Sequence, residues 1–180
     1  MAIFYTLDRA LSLTTGAQLN LTDSISLIKP LQTHTLSRFS NGVSRYANNL
    51  FYNNHINLVQ SNKKFNSVIE MLLEERRNTS FPEKPSRFQS IFACSTIQGA
   101  AWFRGFSKCP IDTPIFEVYA STGWHRGDMN LLNMNCTPVE LSHRLDLYWQ
   151  GATYEMWEGY APFWEIVIPL PARIGGKVQE

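Results

Sequence analysis

One glutamate stands where an uncharged residue would be expected. Glu165 lies in Trp164-Glu165-Ile166-Val167-Ile168-Pro169, a run otherwise built of aromatic and β-branched residues. Such a carboxylate either faces solvent by strand alternation or is held in a cleft for a chemical reason. In a poorly solvated cleft it can stabilise developing positive charge, as at the oxocarbenium-like state of glycoside cleavage. Other residue types complete that chemistry. Arg9 and Arg87 offer planar forks for phosphate, and Ser90 offers a hydroxyl to brace a carboxylate or a sugar. Tyr5, Phe92, Tyr148 and Trp149 offer rings to sandwich a flat heterocycle. Glu155 and Glu158, beside Trp157, are competing carboxylates.

Other chemistries are thinned by missing patterns. Gly99 and Gly105 form no G-x-G-x-x-G turn, and neither a G-K-[ST] nor a G-x-S-x-G sequence occurs. His34, His55, His125 and His143 show no paired ligand spacing, and Cys94, Cys109 and Cys136 form no C-x-x-C, so no metal is implied. The three cysteines read as small hydrophobes in a reducing compartment.

The elements that must position these residues can be read along the chain. Ile3–Leu7 is a first strand, with a short extended piece near Leu19 and Leu21. Phe39, Val43, Tyr46 and Leu50 recur at helical spacing and predict a helix over Leu36–Asn54. Phe65, Val68, Ile69, Leu72 and Leu73 predict a second over Lys63–Arg77, with Glu70, Glu74 and Glu75 mostly off the apolar stripe. Arg87–Ala93 reads as a strand, followed by a helix with Ser95 as N-cap and Gln98 closing a capping box. Pro114–Ser121 is a strand, Trp124–Asp128 a polar loop, and Asp128–Asn133 a helical turn. Pro138–Gln150 is a helix bounded by proline and Gly151, Phe163–Leu170 a late strand, and Ala172–Val178 an edge strand. Strands at both ends with helices between predict α+β, not a regular βαβ array.

Composition bounds the class. The chain has 180 residues, 44% hydrophobic and 17% charged, enough apolar material for one packed domain. Sixteen basic against fifteen acidic residues give a net charge of +1, no field that would imply nucleic acid or an acidic membrane. No apolar run approaches the ~20 residues of a bilayer span, and the N-terminus carries no signal-like segment. A cytoplasmic single domain is expected.

Three separated segments resemble the motifs of the ADP-ribosyltransferase superfamily. Tyr5-Thr6 and Arg9 are similar to its first motif, a strand ending in His or Arg, with Thr6 where His is commoner. Ser86-Arg87-Phe88-Gln89-Ser90-Ile91-Phe92, ahead of the helix, resembles the second, and Trp164-Glu165-Ile166-Val167 the third, which carries a catalytic Glu. The patterns Y-x-x-x-R, P-S-R-x-x-S-x-F-A, D-M-N-x-L and Y-W-x-G…W-E look like a small bacterial family of that superfamily. The resemblance implies a split, mainly antiparallel sheet with helices packed outside, and NAD as substrate. It implies transfer of ADP-ribose to a macromolecule, protein or nucleic acid, by a toxin, an effector delivered into another cell, or a phage-encoded modifier. Glu165 and Ser90 would be catalytic. Tyr5, Thr6, Arg9, Ser86, Arg87, Phe92 and Trp149 would bind NAD. Hydrolysis of NAD at the same site, or a binding module that keeps only the fold, are the alternatives.

Overall fold

The β-prone runs at the two ends of the chain meet in two antiparallel sheets. The computed structural model describes residues 1–25, 27–51 and 67–179. One sheet has the order β1 (Ala2–Leu7), β4 (Ile115–Ala120), β7 (Ala172–Lys177), β2 (Gln18–Leu19). The other has the order β3 (Ser90–Ala93), β6 (Trp164–Pro169), β5 (His125–Asp128). Five α-helices are present among the described residues: α1 (Lys29–Arg38), α2 (Arg45–Phe51), α3 (Ser67–Ser80), α4 (Ile97–Phe106) and α5 (Pro138–Gln150). The chain is a single α+β domain.

A narrow seam joins the sheets. Tyr5 of β1 and Cys94, just past β3, exchange backbone hydrogen bonds of 2.9 and 2.7 Å, and the Thr6 hydroxyl donates to the Phe92 carbonyl at 2.7 Å. Side-chain alternation then divides the core. Ile166 and Ile168 of β6 pack with Phe4, Val118 and Ile174 of the first sheet. Val167, on the opposite face of β6, packs under α3 and α5 with Ile69, Leu73, Leu145, Tyr148 and Trp149. Glu165 shares the parity of Val167 and therefore points toward the helices.

Several elements depart from their sequence pattern. The helix expected over Leu36–Asn54 is two, because Gly42 adopts φ +86° and sits so close to Thr22 that a Cβ would lie 2.4 Å from its carbonyl oxygen. Phe39 and Val43 are core residues all the same; residues 52–54 and the Leu50 side chain lie outside the described residues. The helix expected over Lys63–Arg77 is described from Ser67 and runs on to Ser80; residues 63–66, with Phe65, lie outside the described residues, as does His55. Arg87–Gln89 is a 3-10 turn that leads into β3, so the strand begins at Ser90. The cap of α4 is Thr96, whose hydroxyl accepts from the Gly99 N–H at 3.0 Å, in place of the expected Ser95–Gln98 box. β7 lies inside its sheet, between β4 and β2, and is not the edge strand expected.

The segment read as a polar loop, Trp124–Asp128, contains β5. Arg126 is exposed, but His125 and Asp128 are buried, each with an internal partner. Asp128 accepts from the Asn130 N–H at 3.0 Å, the Phe163 N–H at 2.9 Å, the Thr153 hydroxyl at 2.6 Å and the Tyr160 hydroxyl, and so pins both ends of the segment 151–163 to β5. Gly127 stands opposite Glu165 in the β5–β6 register. A Cβ there would lie 2.2 Å from Cε2 of Tyr148, so the missing side chain is what lets the Tyr148 ring cover the strand. We therefore expect Gly127→Ala to lower the free energy of unfolding measured in urea by an amount typical of overpacking, about 1–3 kcal/mol. Gly105→Ala, in α4 with nothing within 4 Å of the added methyl, should be neutral or stabilising by up to about 1 kcal/mol.

Candidate functional site

The helix α3 reveals the site. Ile69 and Leu73 are buried, as the apolar stripe requires, but Glu70 and Glu74 are buried beside them at 2% exposure, against the expectation of a polar face. A Glu–Glu pair one helical turn apart is unfavourable unless each carboxylate finds a cation elsewhere. Glu74 meets Arg77 at 2.8 Å and accepts from the Ser86 hydroxyl at 3.0 Å. Glu70 takes both edges of the Arg87 fork: Nε to Oε2 at 2.6 Å and Nη2 to Oε1 at 2.7 Å.

Arg87 enters from the 3-10 turn, 2% exposed. Its remaining nitrogen, Nη1, pairs with Oε1 of Glu165 and donates to the Tyr148 hydroxyl. Tyr148 in turn donates to the same Glu165 oxygen at 2.8 Å, and Tyr46 of α2 donates to Glu70 at 3.0 Å. The guanidinium lies 4.5 Å from the centroid of the Phe92 ring and 5.4 Å from that of Tyr148. Phe92 also meets Tyr46 edge to face at 4.5 Å. Four helical elements and two strands thus converge on one ion cluster.

The cluster perturbs its members in ways that follow from burial. Burial lifts the Glu165 carboxyl above its ordinary range; Arg87 opposes this, and the charge of Glu70 adds to it. For Arg87, burial works against the charge, but Glu165 and Glu70 outweigh it and hold the guanidinium more firmly protonated. Tyr148 and Tyr46 are both pushed well up, chiefly by burial, so they act as neutral donors. Burial likewise lifts the Cys94 thiol to about 12, which leaves it a weak nucleophile. His125 is lowered to about 4 by burial; its neutral Nε2–H donates to the Tyr148 carbonyl at 2.7 Å.

The expected site residues divide. Glu165, Arg87 and Phe92 come together, and Thr6 reaches the same strand through the Phe92 carbonyl. Ser86 contributes through Glu74 and caps the 3-10 turn by accepting from the Phe88 N–H. Ser90 does not brace Glu165: its hydroxyl donates to the Ser86 carbonyl at 2.6 Å, and its register partner on β6 is Pro169. Trp149 is fully buried, donates to the Leu73 carbonyl at 2.9 Å and is a core residue rather than the wall of a cleft. Tyr5 serves the seam. Arg9 is exposed at the end of β1, 5.7 Å from the Phe103 ring centroid, and does not join Arg87.

Glu70 and Tyr46 escaped the sequence reading. The available signal was Glu70–Glu74 itself, a like-charge pair flanking Ile69 and Leu73 on the same helical face. Among the described residues no group of three or more His, Cys, Asp or Glu could hold a metal ion, and no helix is long and apolar enough to cross a membrane.

Fold and site together define a two-sheet α+β domain with a buried arginine–carboxylate centre. Residues 14–162 match the model of the family described as "Protein of unknown function (DUF2441)", and the chain belongs to that family. No curated protein matches the chain.

Two outcomes test the electrostatics. Arg87→Met strands two buried carboxylates and should cost about 3–5 kcal/mol at neutral pH. The loss should shrink on acidification, as protons replace the guanidinium; urea denaturation at about pH 7 and about pH 5 measures both. For His125 the folded state resists protonation that the unfolded chain accepts. Stability should therefore fall as pH drops from 6.5 toward 4, by at most about 3 kcal/mol. His125→Gln should remove that contribution, seen as the difference between the two pH–stability profiles.

Proposed function

We propose that this chain transfers ADP-ribose from NAD to a macromolecular acceptor, with Glu165 as the catalytic carboxylate. One observation carries the reading. The three motif-bearing strands, β1, β3 and β6, lie side by side at the junction of the two sheets, with Glu165 oriented there by Arg87 and Tyr148. Both donors engage Oε1, and the reading assigns a ribose hydroxyl to Oε2.

The chemistry asked of the site is electrostatic. The bond between the nicotinamide nitrogen and C1′ of the ribose breaks, its electron pair neutralising the pyridinium. The acceptor's nucleophile forms a new bond to C1′, and its proton passes to solvent. Glu165 faces the oxocarbenium character that develops between those events. Arg87 is moved by this reading from the pyrophosphate to Glu165, since Glu70 occupies its Nε and Nη2 and Glu165 its Nη1. It is a positioning residue. Arg9, exposed and at the end of the first motif strand, is left as the candidate for phosphate contact.

A second reading, a binding module without the chemistry, is favoured by the closure of Arg87 onto Glu165 and by Thr6 spending its hydroxyl on the Phe92 backbone. Labelled NAD added to the protein and a cell lysate separates the two. Transfer of label with release of nicotinamide is expected, and Glu165→Gln should lose at least ~10²-fold in rate. That variant should keep its fold, because Glu70 still neutralises Arg87. NAD at ~100 times its dissociation constant should also add about 2.7 kcal/mol of stability, a rise in Tm on the order of 5–10 °C. A flat Tm with no nicotinamide released would leave the binding-module reading.

A further inference from the structure

Arg87 is shared unequally. Two of its nitrogens form a fork on Glu70, and a single nitrogen reaches Glu165. Two carboxylates thus divide one guanidinium in a site where all three side chains are buried. We propose that Glu70 is a positioning residue that governs the charge of Glu165 through the guanidinium they share. This deepens the reading above, in which Glu165 is the reacting carboxylate.

The surroundings of Glu165 define the balance. From the 3-10 turn comes Arg87, the cation that the described residues bring into salt-bridge contact with it. From α3 comes Glu70, with Tyr46 of α2 behind it; from α5 comes the Tyr148 hydroxyl. Cys94, beyond β3, is a neutral thiol, and His125 on β5 is held neutral next to the Tyr148 ring. Fully ionised, the Glu70–Arg87–Glu165 cluster sums, among the described residues, to one net negative charge away from water. That charge is costly, and a proton relieves it. Glu74, the other buried acid of α3, has its own cation in Arg77 and does not enter the count.

Two consequences follow for Glu165. Its anionic form, the one the reaction needs, is gained as pH rises. Removing the charge of Glu70 while keeping its shape releases Arg87 toward Glu165, so the anion persists to lower pH. A role for Glu70 limited to packing α3 would leave the ionisation of Glu165 where it was.

Carboxyl carbon NMR of protein labelled in its glutamates tests this without any ligand, with the Glu165 resonance assigned by its loss in Glu165→Gln. In Glu70→Gln the Glu165 midpoint should fall by about one pH unit or more. An unmoved midpoint overturns the proposal. Should Glu70→Gln fail to fold, the unmodified protein still decides: the Glu70 carboxyl resonance should respond at the Glu165 midpoint, because the two share one guanidinium. A Glu70 resonance indifferent to that midpoint overturns it. NAD turnover then distinguishes the two readings. A shifted midpoint with no turnover at any pH removes the transferase and leaves the positioning intact. Turnover whose acidic limb stays put in Glu70→Gln removes the positioning and leaves the transferase.

Discussion

The placement of Arg87 between Glu70 and Glu165 is the constraint on which the rest of the structure is arranged. A guanidinium taken out of water costs several kcal/mol, and so does each carboxylate; only saturated hydrogen bonding returns that energy. Four elements are recruited to achieve it. The 3-10 turn delivers the arginine, α3 the fork's partner, β6 the second carboxylate, and α5 a phenol to the same oxygen. Apolar replacements of similar volume could hold the same layers together as well or better, so the cluster is weak as a stabilising device. What it does supply is geometry: each member has one place to be.

That geometry explains features that packing alone does not. The turn at Arg87–Gln89 departs from the strand its β-prone residues suggest, because an extended chain there would carry the guanidinium away from α3. Ser86 caps the turn and also answers Glu74, so one residue fixes both the start of the turn and the end of the acidic pair. Gly127 is bare because Tyr148 crosses its position to reach Glu165. These local departures from the simplest pattern trace to the same centre.

Elements with a strong periodic pattern and chemical punctuation were legible. Helix α5 runs between the proline and the glycine that bound it in the sequence, and the hydrophobic runs of β4 and β6 are strands. Glu165 was legible too, as a charge inside an apolar run. What escaped was polar and buried. His125-Arg126-Gly127-Asp128 has the composition of a loop, and only its partners, the Tyr148 carbonyl and the donors around Asp128, make it a strand. Glu70 looked like helix surface because its cation lies seventeen residues away and arrives from another element. Long-range pairing of this kind leaves no mark in local periodicity. Ser90 and Trp149 failed in another way: their residue types suited the chemistry, while backbone carbonyls, Ser86 nearby and Leu73 on another helix, had already claimed them.

Asp128 has a consequence of its own. By gathering Thr153, Tyr160 and the Phe163 amide onto one carboxylate, it closes the segment 151–163 around an exposed tip at Trp157–Gly159, where the Trp157 ring meets that of Tyr160. A loop whose ends are clamped resists lengthening only through closure entropy, about 0.6 kcal/mol for each doubling of its length. The tip is accordingly the place where residues can be inserted with least disturbance to the strands beneath. Evolution or an engineer can lengthen it there without touching the ion cluster.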